Sequence, residues 1–328
     1  MRRREFIALI GSAVASWPQG ARAQSNEPMR RVGILLRGET SEGMVQAQER
    51  VLREELAKRG WIAGSNVRFD VRYSADSPDL IRANADELVG LGPDVIAASS
   101  YPGARAVLQR TRTIPVVFIN VGDPVAGGLV QNIPQPEGNA TGITSLFRSL
   151  GSKWLELLKE AAPSTARVAL VFAPEKVNEQ YFAVINAAAE TMALKTIRMP
   201  YGDVAELERA IDAFAAEPNG ALLMVPPPPS AAETELINRL AVKHKLPTVY
   251  SSPYHVAKGG MMSYGSPLVE SYRLAAAYVD RLLRGAKISE LPVHFPTKVE
   301  LTINLKTFKA IGLTPAGTFL MLADQVLE

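Results

Sequence analysis

The sequence predicts an α/β protein built from two doubly wound parallel-sheet lobes. Three observations predict it. An apolar run at 31–36 (Arg31-Val32-Gly33-Ile34-Leu35-Leu36) is echoed at 167–172 by Arg167-Val168-Ala169-Leu170-Val171-Phe172. Each run is then followed by alternating helical and strand patterns in similar order. The strand runs are short and continuously apolar, as expected of strands covered on both faces of a parallel sheet.

In the first half the expected strands are 31–36, 67–73, 94–98 and 114–118. The alternation of Val67, Phe69, Val71 and Tyr73 with Arg68, Asp70 and Arg72 marks a half-exposed strand at or near a sheet edge. Helices are expected at 44–59, closed by Gly60, and at 78–91, ending before Gly92-Pro93. Residues 132–144, rich in Pro, Gly, Asn and Gln, read as the connection between the halves.

In the second half the strands are expected at 167–172, 194–199, 221–225 and 246–250, with helices at 178–192, 204–216 and 231–244. The fourth strand of each half opens with an apolar-Pro pair, Ile114-Pro115 and Leu246-Pro247. Beyond them come a strand and turn at 260–265, a long helix at 267–284, a strand at 299–304 and a short helix at 305–311. These extra pieces are expected to complete the lobes by crossing back and forth, which makes a hinge of several crossings. The expected division is 1–23 as an export signal, 24–143 plus 251–290 as one lobe, and 144–250 plus 291–328 as the other.

The first 23 residues carry Arg2, Arg3 and Arg4, a short apolar stretch at 6–14, and Ala21-Arg22-Ala23 as a cleavage site before Gln24. Arg3-Arg4-Glu5-Phe6-Ile7 further resembles a twin-arginine signal, with an ordinary secretory signal as the alternative. Removing this segment leaves 32 basic and 32 acidic residues, so nothing global argues for nucleic acid as a partner. There is no cysteine, which excludes disulfides, a thiolate nucleophile, cysteine-ligated metals and a lipid anchor on a cysteine after the signal. The expected product is periplasmic, soluble and monomeric.

Signatures of catalysis are sparse. His244, His255 and His294 show no metal-ligand spacing, and neither a phosphate-binding nor a dinucleotide-binding glycine motif follows any strand. No cofactor or metal is expected. An exported hydrolase using Ser99 or Ser263 is the enzymatic alternative, and a sensor that reports to a membrane receptor is another.

Ligands of open α/β sheets sit beyond the C-terminal ends of the strands, and clefts between domains hold small molecules. The candidates at those ends are Thr40, Ser99, Ser100, Tyr101, Asn120 and Asp123 in the first lobe. In the second they are Ala173, Asn178, Pro226, Tyr250, Ser251 and Tyr264. Hydroxyls and backbone N–H groups at helix N-termini capture a carboxylate. Asp123 can accept an ammonium group, or can cap a helix opened by Pro124. Tyrosines can stack on an apolar or aromatic side chain.

The chain as a whole resembles the periplasmic solute-binding proteins of ABC transporters, in the group that includes the tryptophan- and tyrosine-type binding proteins. The resemblance is carried by Arg3-Arg4-Glu5-Phe6-Ile7, the run at 31–35, Ile114-Pro115-Val116-Val117-Phe118, Gly122-Asp123-Pro124-Val125 and Gly128-Leu129-Val130. It continues in Gly138-Asn139-Ala140-Thr141-Gly142, Leu246-Pro247-Thr248-Val249-Tyr250, Gly259 to Gly265, Pro296-Thr297-Lys298 and Ile303-Asn304-Leu305-Lys306-Thr307. It implies a type I periplasmic-binding-protein fold, an amino acid or related small carboxylate held between the lobes, and delivery to a membrane permease with its ATPase. The chain departs from that pattern at the Pro run 226–229 and at the charged Arg37-Gly38-Glu39 loop.

Overall fold

The computed structural model describes residues 29–38, 43–75, 77–144, 150–173, 180–226 and 229–328. The expected export signal therefore lies outside the described residues. In the first lobe the order is β1 (Arg30–Leu36), α1 (Gly43–Lys58), β2 (Val67–Tyr73), α2 (Pro78–Gly90), β3 (Val95–Ser99), α3 (Tyr101–Arg110), β4 (Val116–Val121) and β5 (Ala140–Thr144). The second lobe holds α4 (Leu150–Ala161), β6 (Arg167–Phe172), α5 (Gln180–Thr191), β7 (Lys195–Pro200), α6 (Val204–Ala215), β8 (Gly220–Met224), α7 (Ala231–His244) and β9 (Thr248–Tyr250). The remaining elements are α8 (Pro253–Ala257), β10 (Met262–Gly265), α9 (Leu268–Leu283), a short 3-10 turn (Ile288–Glu290), β11 (Glu300–Asn304), α10 (Leu305–Ala310), α11 (Gly317–Met321) and β12 (Gln325–Leu327).

Two sheets result. The first is wholly parallel, in the order β2-β1-β3-β4-β5. The second runs β12-β11-β10-β9-β8-β6-β7, parallel except where β11 lies antiparallel to β10. The fold class is the one expected, and β2 lies at the edge of its sheet as its alternation predicts.

The continuous apolar runs reflect burial on both faces. In the first sheet Val32, Ile34 and Leu36 pack with Leu52 and Leu56 of α1 and Tyr272 and Val279 of α9. Leu35, Ile96 and Phe118 face the other way, onto Ile81 and Leu88 of α2 and Val107 of α3. In the second sheet Val168, Leu170 and Leu223 meet Trp154, Leu158 and Ile185. Ala169, Val171 and Leu222 meet Leu207, Ile211 and Ile237. Each large apolar side chain, fully buried, is worth about 1.5–3 kcal/mol of transfer free energy, which is why the strands are legible as apolar runs.

Two expectations are revised. The connection assigned to 132–144 ends sooner, because Ala140–Thr144 is the wholly buried strand β5, paired with β4. Gly142 permits the close pairing, since a Cβ there would stand 2.0 Å from the Phe118 carbonyl oxygen. The second revision concerns the division of lobes. The expectation gave 251–290 to the first lobe, but α8 and β10 lie with the second sheet, where β10 pairs with β9 and β11. Only α9 and the segment at 284–294 return to the first lobe. There Trp61 Nε1 donates to Asp280 Oδ1 (2.8 Å), Thr141 Oγ1 donates to the Leu291 carbonyl (2.6 Å), and His294 N donates to the Gly142 carbonyl (2.9 Å). The chain thus leaves the first sheet after Thr144 and passes between the sheets again at 265–268 and 294–300.

Candidate ligand-binding cleft

A crevice opens in a parallel sheet where consecutive connections leave in opposite directions. In the first sheet that point lies between β1 and β3, and in the second between β6 and β8. The residues just past these strands are therefore the ones the fold offers to a ligand.

At the first switch point the backbone N–H of Arg37 donates to the Ser99 hydroxyl (2.8 Å), which ties the end of β1 to the end of β3. Ser99 is buried and also pairs with the Tyr272 hydroxyl of α9. Its polar capacity is spent on holding the crevice floor, so the sequence expectation of a ligand contact becomes a positioning role. Burial raises the pKa of the Tyr272 phenol, and the Ser99 bond and the Arg37 charge oppose that rise.

Ser100 and Asn120 stand next in line, both half-buried. Ser100 has φ 67° and Asn120 φ 58°, positive values that non-glycine residues seldom adopt. Such strain at two adjacent strand ends marks a shape the surrounding structure imposes. Ser100 N donates to the Ile119 carbonyl (2.9 Å), so the two turns are linked. Ser100 is also the N-cap of α3, yet its side chain makes no capping bond. Its hydroxyl therefore stands at a helix N-terminus, where backbone N–H groups and the helix dipole favour an anion.

Tyr101 and Asp123 are committed to one loop. The Tyr101 hydroxyl donates to the Gly127 carbonyl (2.9 Å), and a Cβ on Gly127 would come within 2.4 Å of the Tyr101 ring. Asp123 Oδ1 accepts from Val125 N (3.1 Å) and Ala126 N (3.0 Å). The Asp123-Pro124 pair thus opens a tight turn instead of a helix, closed by Leu129 N donating to the Pro124 carbonyl (2.8 Å).

In the second lobe Ala173 and Pro226 are half-buried at the ends of β6 and β8, at the switch point. Thr40 and Asn178 lie outside the described residues. Tyr250 does not line the cleft. It is wholly buried, its hydroxyl donates to Asn238 Oδ1 (2.7 Å), and its ring stacks on His255 with centroids 4.9 Å apart. Ser251 is half-buried just after β9. Tyr264 is half-buried against the α4 core, and its carbonyl accepts from Trp154 Nε1 (2.7 Å).

The structure adds residues the sequence did not single out. Tyr201 comes just after β7, and its N–H donates to the Phe172 carbonyl (3.1 Å), which seats it beside the end of β6. Its hydroxyl pairs with Glu233, in the first turn of α7. Glu233 is itself fixed by a capping box: Ser230 N donates to Glu233 Oε2 (2.6 Å), and Glu233 N donates to Ser230 Oγ (3.3 Å). Burial, then the Glu233 charge and bond, raise the pKa of the Tyr201 phenol, while the Arg37 guanidinium of the first lobe acts in the opposite sense. Tyr201 itself is buried, packed with Leu207 and Ile211. The Ser-x-x-Glu pattern at 230–233 is a readable capping signal.

Among the described residues at these strand ends are hydroxyls, the N-terminus of α3 and the Arg37 side chain. The serines weighed for nucleophilic chemistry are poorly placed for it: Ser99 is bonded as described, and Ser263 is wholly buried with no partner for its hydroxyl. His255 is buried too, and desolvation holds its pKa down at about 4. Among the described residues no group of three or more His, Cys, Asp or Glu side chains could hold a metal.

Comparison with known proteins agrees with this architecture. The chain is similar to a tyrosine-binding protein of Clostridioides difficile, 25% identical over 260 residues that span 79% of this chain and 74% of the relative. Among solved structures it resembles a conserved domain protein of Vibrio cholerae, with a TM-score of 0.82 and 26% identity over 91% of this chain and 99% of the other. An ABC domain of Streptococcus pneumonia in complex with L-Trp superposes with a TM-score of 0.81 at 20% identity, over 91% and 99% of the two chains. A ligand-free, open substrate-binding protein with adhesive properties from Clostridium difficile gives 0.69 at 22% identity, over the same shares. The model of the ABC transporter substrate binding protein family matches residues 41–327, so the chain belongs to that family.

Proposed function

We propose that this chain is the solute-binding component of an ABC importer. It captures an amino acid, with aromatic ones such as tyrosine and tryptophan foremost, between its lobes and delivers it to a membrane permease and its ATPase. The observation that carries the reading is the family match over residues 41–327, on a chain whose two sheets each carry a switch point. The tyrosine-binding relative and the tryptophan-bound structure support the ligand class. The expected signal at 1–23 supports export to the periplasm.

The mechanism is closure about the crossings, those at 265–268 and 294–300 among them. A ligand shifts an open–closed equilibrium only by its difference in affinity for the two states. Contacts to the first lobe alone, through Ser100 or Asn120, would leave that equilibrium unmoved. Groups of the second lobe, at Ala173 and Pro226, must take part.

A thermal-shift screen against amino acids and small carboxylates tests the reading, on protein partially unfolded and refolded to strip any carried ligand. A ligand at about 100 times its Kd adds roughly 2.7 kcal/mol of stability, a readily seen rise in Tm. Tyrosine or tryptophan should give that rise, and silence across all amino acids would refute the ligand class.

A further inference from the structure

We infer that the second lobe encloses an internal water site formed by His255 of α8, Ser263 of β10 and Thr302 of β11, and that His255 stands there as its Nδ1–H tautomer. The inference is independent of which ligand the cleft takes.

The three residues share one face of the second sheet. Met262 and Tyr264 of β10, and Leu301 and Ile303 of β11, pack into the core around Trp154. Side chains alternate along a strand, so Ser263 and Thr302 project from the opposite face. There they are register partners of each other, and Ser263 is also the register partner of Tyr250 on β9. The His255 ring stacks on the Tyr250 ring, with centroids 4.9 Å apart and 16° between the planes. Two bonds hold α8 and the turn after it over these strands. Asn304 Nδ2 donates to the Val256 carbonyl (3.2 Å), and Thr307 Oγ1 donates to the Gly259 carbonyl (2.9 Å).

His255, Ser263 and Thr302 are all sealed from solvent. Among the described residues none bonds His255 Nε2, Ser263 Oγ or Thr302 Oγ1. Buried polar atoms are nearly always paired, and where no protein group reaches them an ordered water does. A buried water makes about three hydrogen bonds, and this face supplies three polar atoms.

The other side of the imidazole fixes its proton. Thr234 Oγ1 lies 2.9 Å from His255 Nδ1 and 2.7 Å from the Ser230 carbonyl oxygen. A carbonyl only accepts, so the one hydroxyl hydrogen goes to Ser230, and Nδ1–H donates to Thr234. Burial keeps the ring neutral. Nε2 is then a lone pair in need of a donor. A water donates to it while bonding the strand hydroxyls, and so ties α8 to β10 and β11, the strands that meet the crossings at 265–268 and 294–300.

The test has three parts. The chain has three histidines, so 15N-histidine labelling gives few signals, and His255→Phe identifies the one that matters. Long-range 1H–15N correlation at neutral pH should show Nδ1 protonated and Nε2 bare. Thr302→Val keeps the side-chain shape and removes one water partner, and should lower Tm by about 2–4 °C. A hydroxyl with no partner at all would give the opposite sign, because removing it would relieve a buried polar group. A high-resolution crystal structure should place a water oxygen within about 3.2 Å of Nε2. An Nε2–H tautomer, a Thr302→Val protein that melts at or above wild type, or a dry site in that crystal structure would each overturn the inference.

Discussion

The backbone N–H of Arg37 and the hydroxyl of Ser99 are joined over 2.8 Å, and this bond fixes the floor of the first crevice. Ser99 is buried at 5% exposure, so its replacement leaves a donor without a partner away from water. Ser99→Ala should cost about 1–3 kcal/mol in urea unfolding. It should also weaken ligand binding, because the residue that carries the guanidinium is no longer held. A ligand affinity equal to wild type would show that the placement of Arg37 does not matter.

Tyr250 belongs to the core and not to the cleft. Tyr250→Phe removes the donor to Asn238 Oδ1 in a dry site and should cost about 1–2 kcal/mol of stability, with ligand affinity retained. Calorimetry beside melting curves checks this, and a lost affinity would contradict the core placement.

Acid should destabilise the fold in a window set by His255. Burial lowers its pKa in the folded state from 6.5 to about 4, so the unfolded chain binds the proton more readily. Stability is then full above about pH 6.5 and falls as the pH drops towards 4. The loss levels off below that at about 3 kcal/mol. Glu55 acts in a lower window. Hydrogen bonds from Lys58 and Arg59 hold it at about 2 against 4.5, so its contribution is lost as the pH falls from about 4.5 to 2. Urea unfolding from pH 8 to 4 should therefore show a smaller slope in His255→Phe than in wild type between pH 6.5 and 4. Identical slopes would contradict the buried neutral imidazole.

Gly142→Ala should be severe for so small a change. The added Cβ would lie 2.0 Å from the Phe118 carbonyl oxygen and 2.7 Å from Phe118 N, so β4 and β5 must separate. Crowding of this kind costs about 1–3 kcal/mol, and here it also disturbs the His294 crossing. A melting temperature within a degree of wild type would count against β5 as an integral strand.

Much of the fold was legible in the sequence because parallel strands buried on both faces leave continuous apolar runs, as at 31–36 and 167–172, and helices leave caps such as Ser77-Pro78 and Ser230. β5 was hidden because Ala140–Thr144 is short, carries Gly142 and comes directly after a Pro- and Asn-rich loop. α11 and β12 were hidden by brevity. The site was legible only in part. Strand ends located Ser100 and Asn120, but which way a tyrosine turns at a strand end is set by packing. Tyr250 turns in towards α7 and His255, and no local pattern encodes that choice.

Closure of the lobes on an amino acid is the central claim, and an interlobe distance tests it most directly. The chain has no cysteine, so two introduced ones label cleanly. Gln109→Cys on α3 and Ala205→Cys on α6 place spin labels at exposed positions, one on each lobe. With L-tyrosine or L-tryptophan added, the distance distribution from electron double resonance should shorten and narrow. A distribution unchanged by a ligand that demonstrably binds would contradict capture by hinge closure.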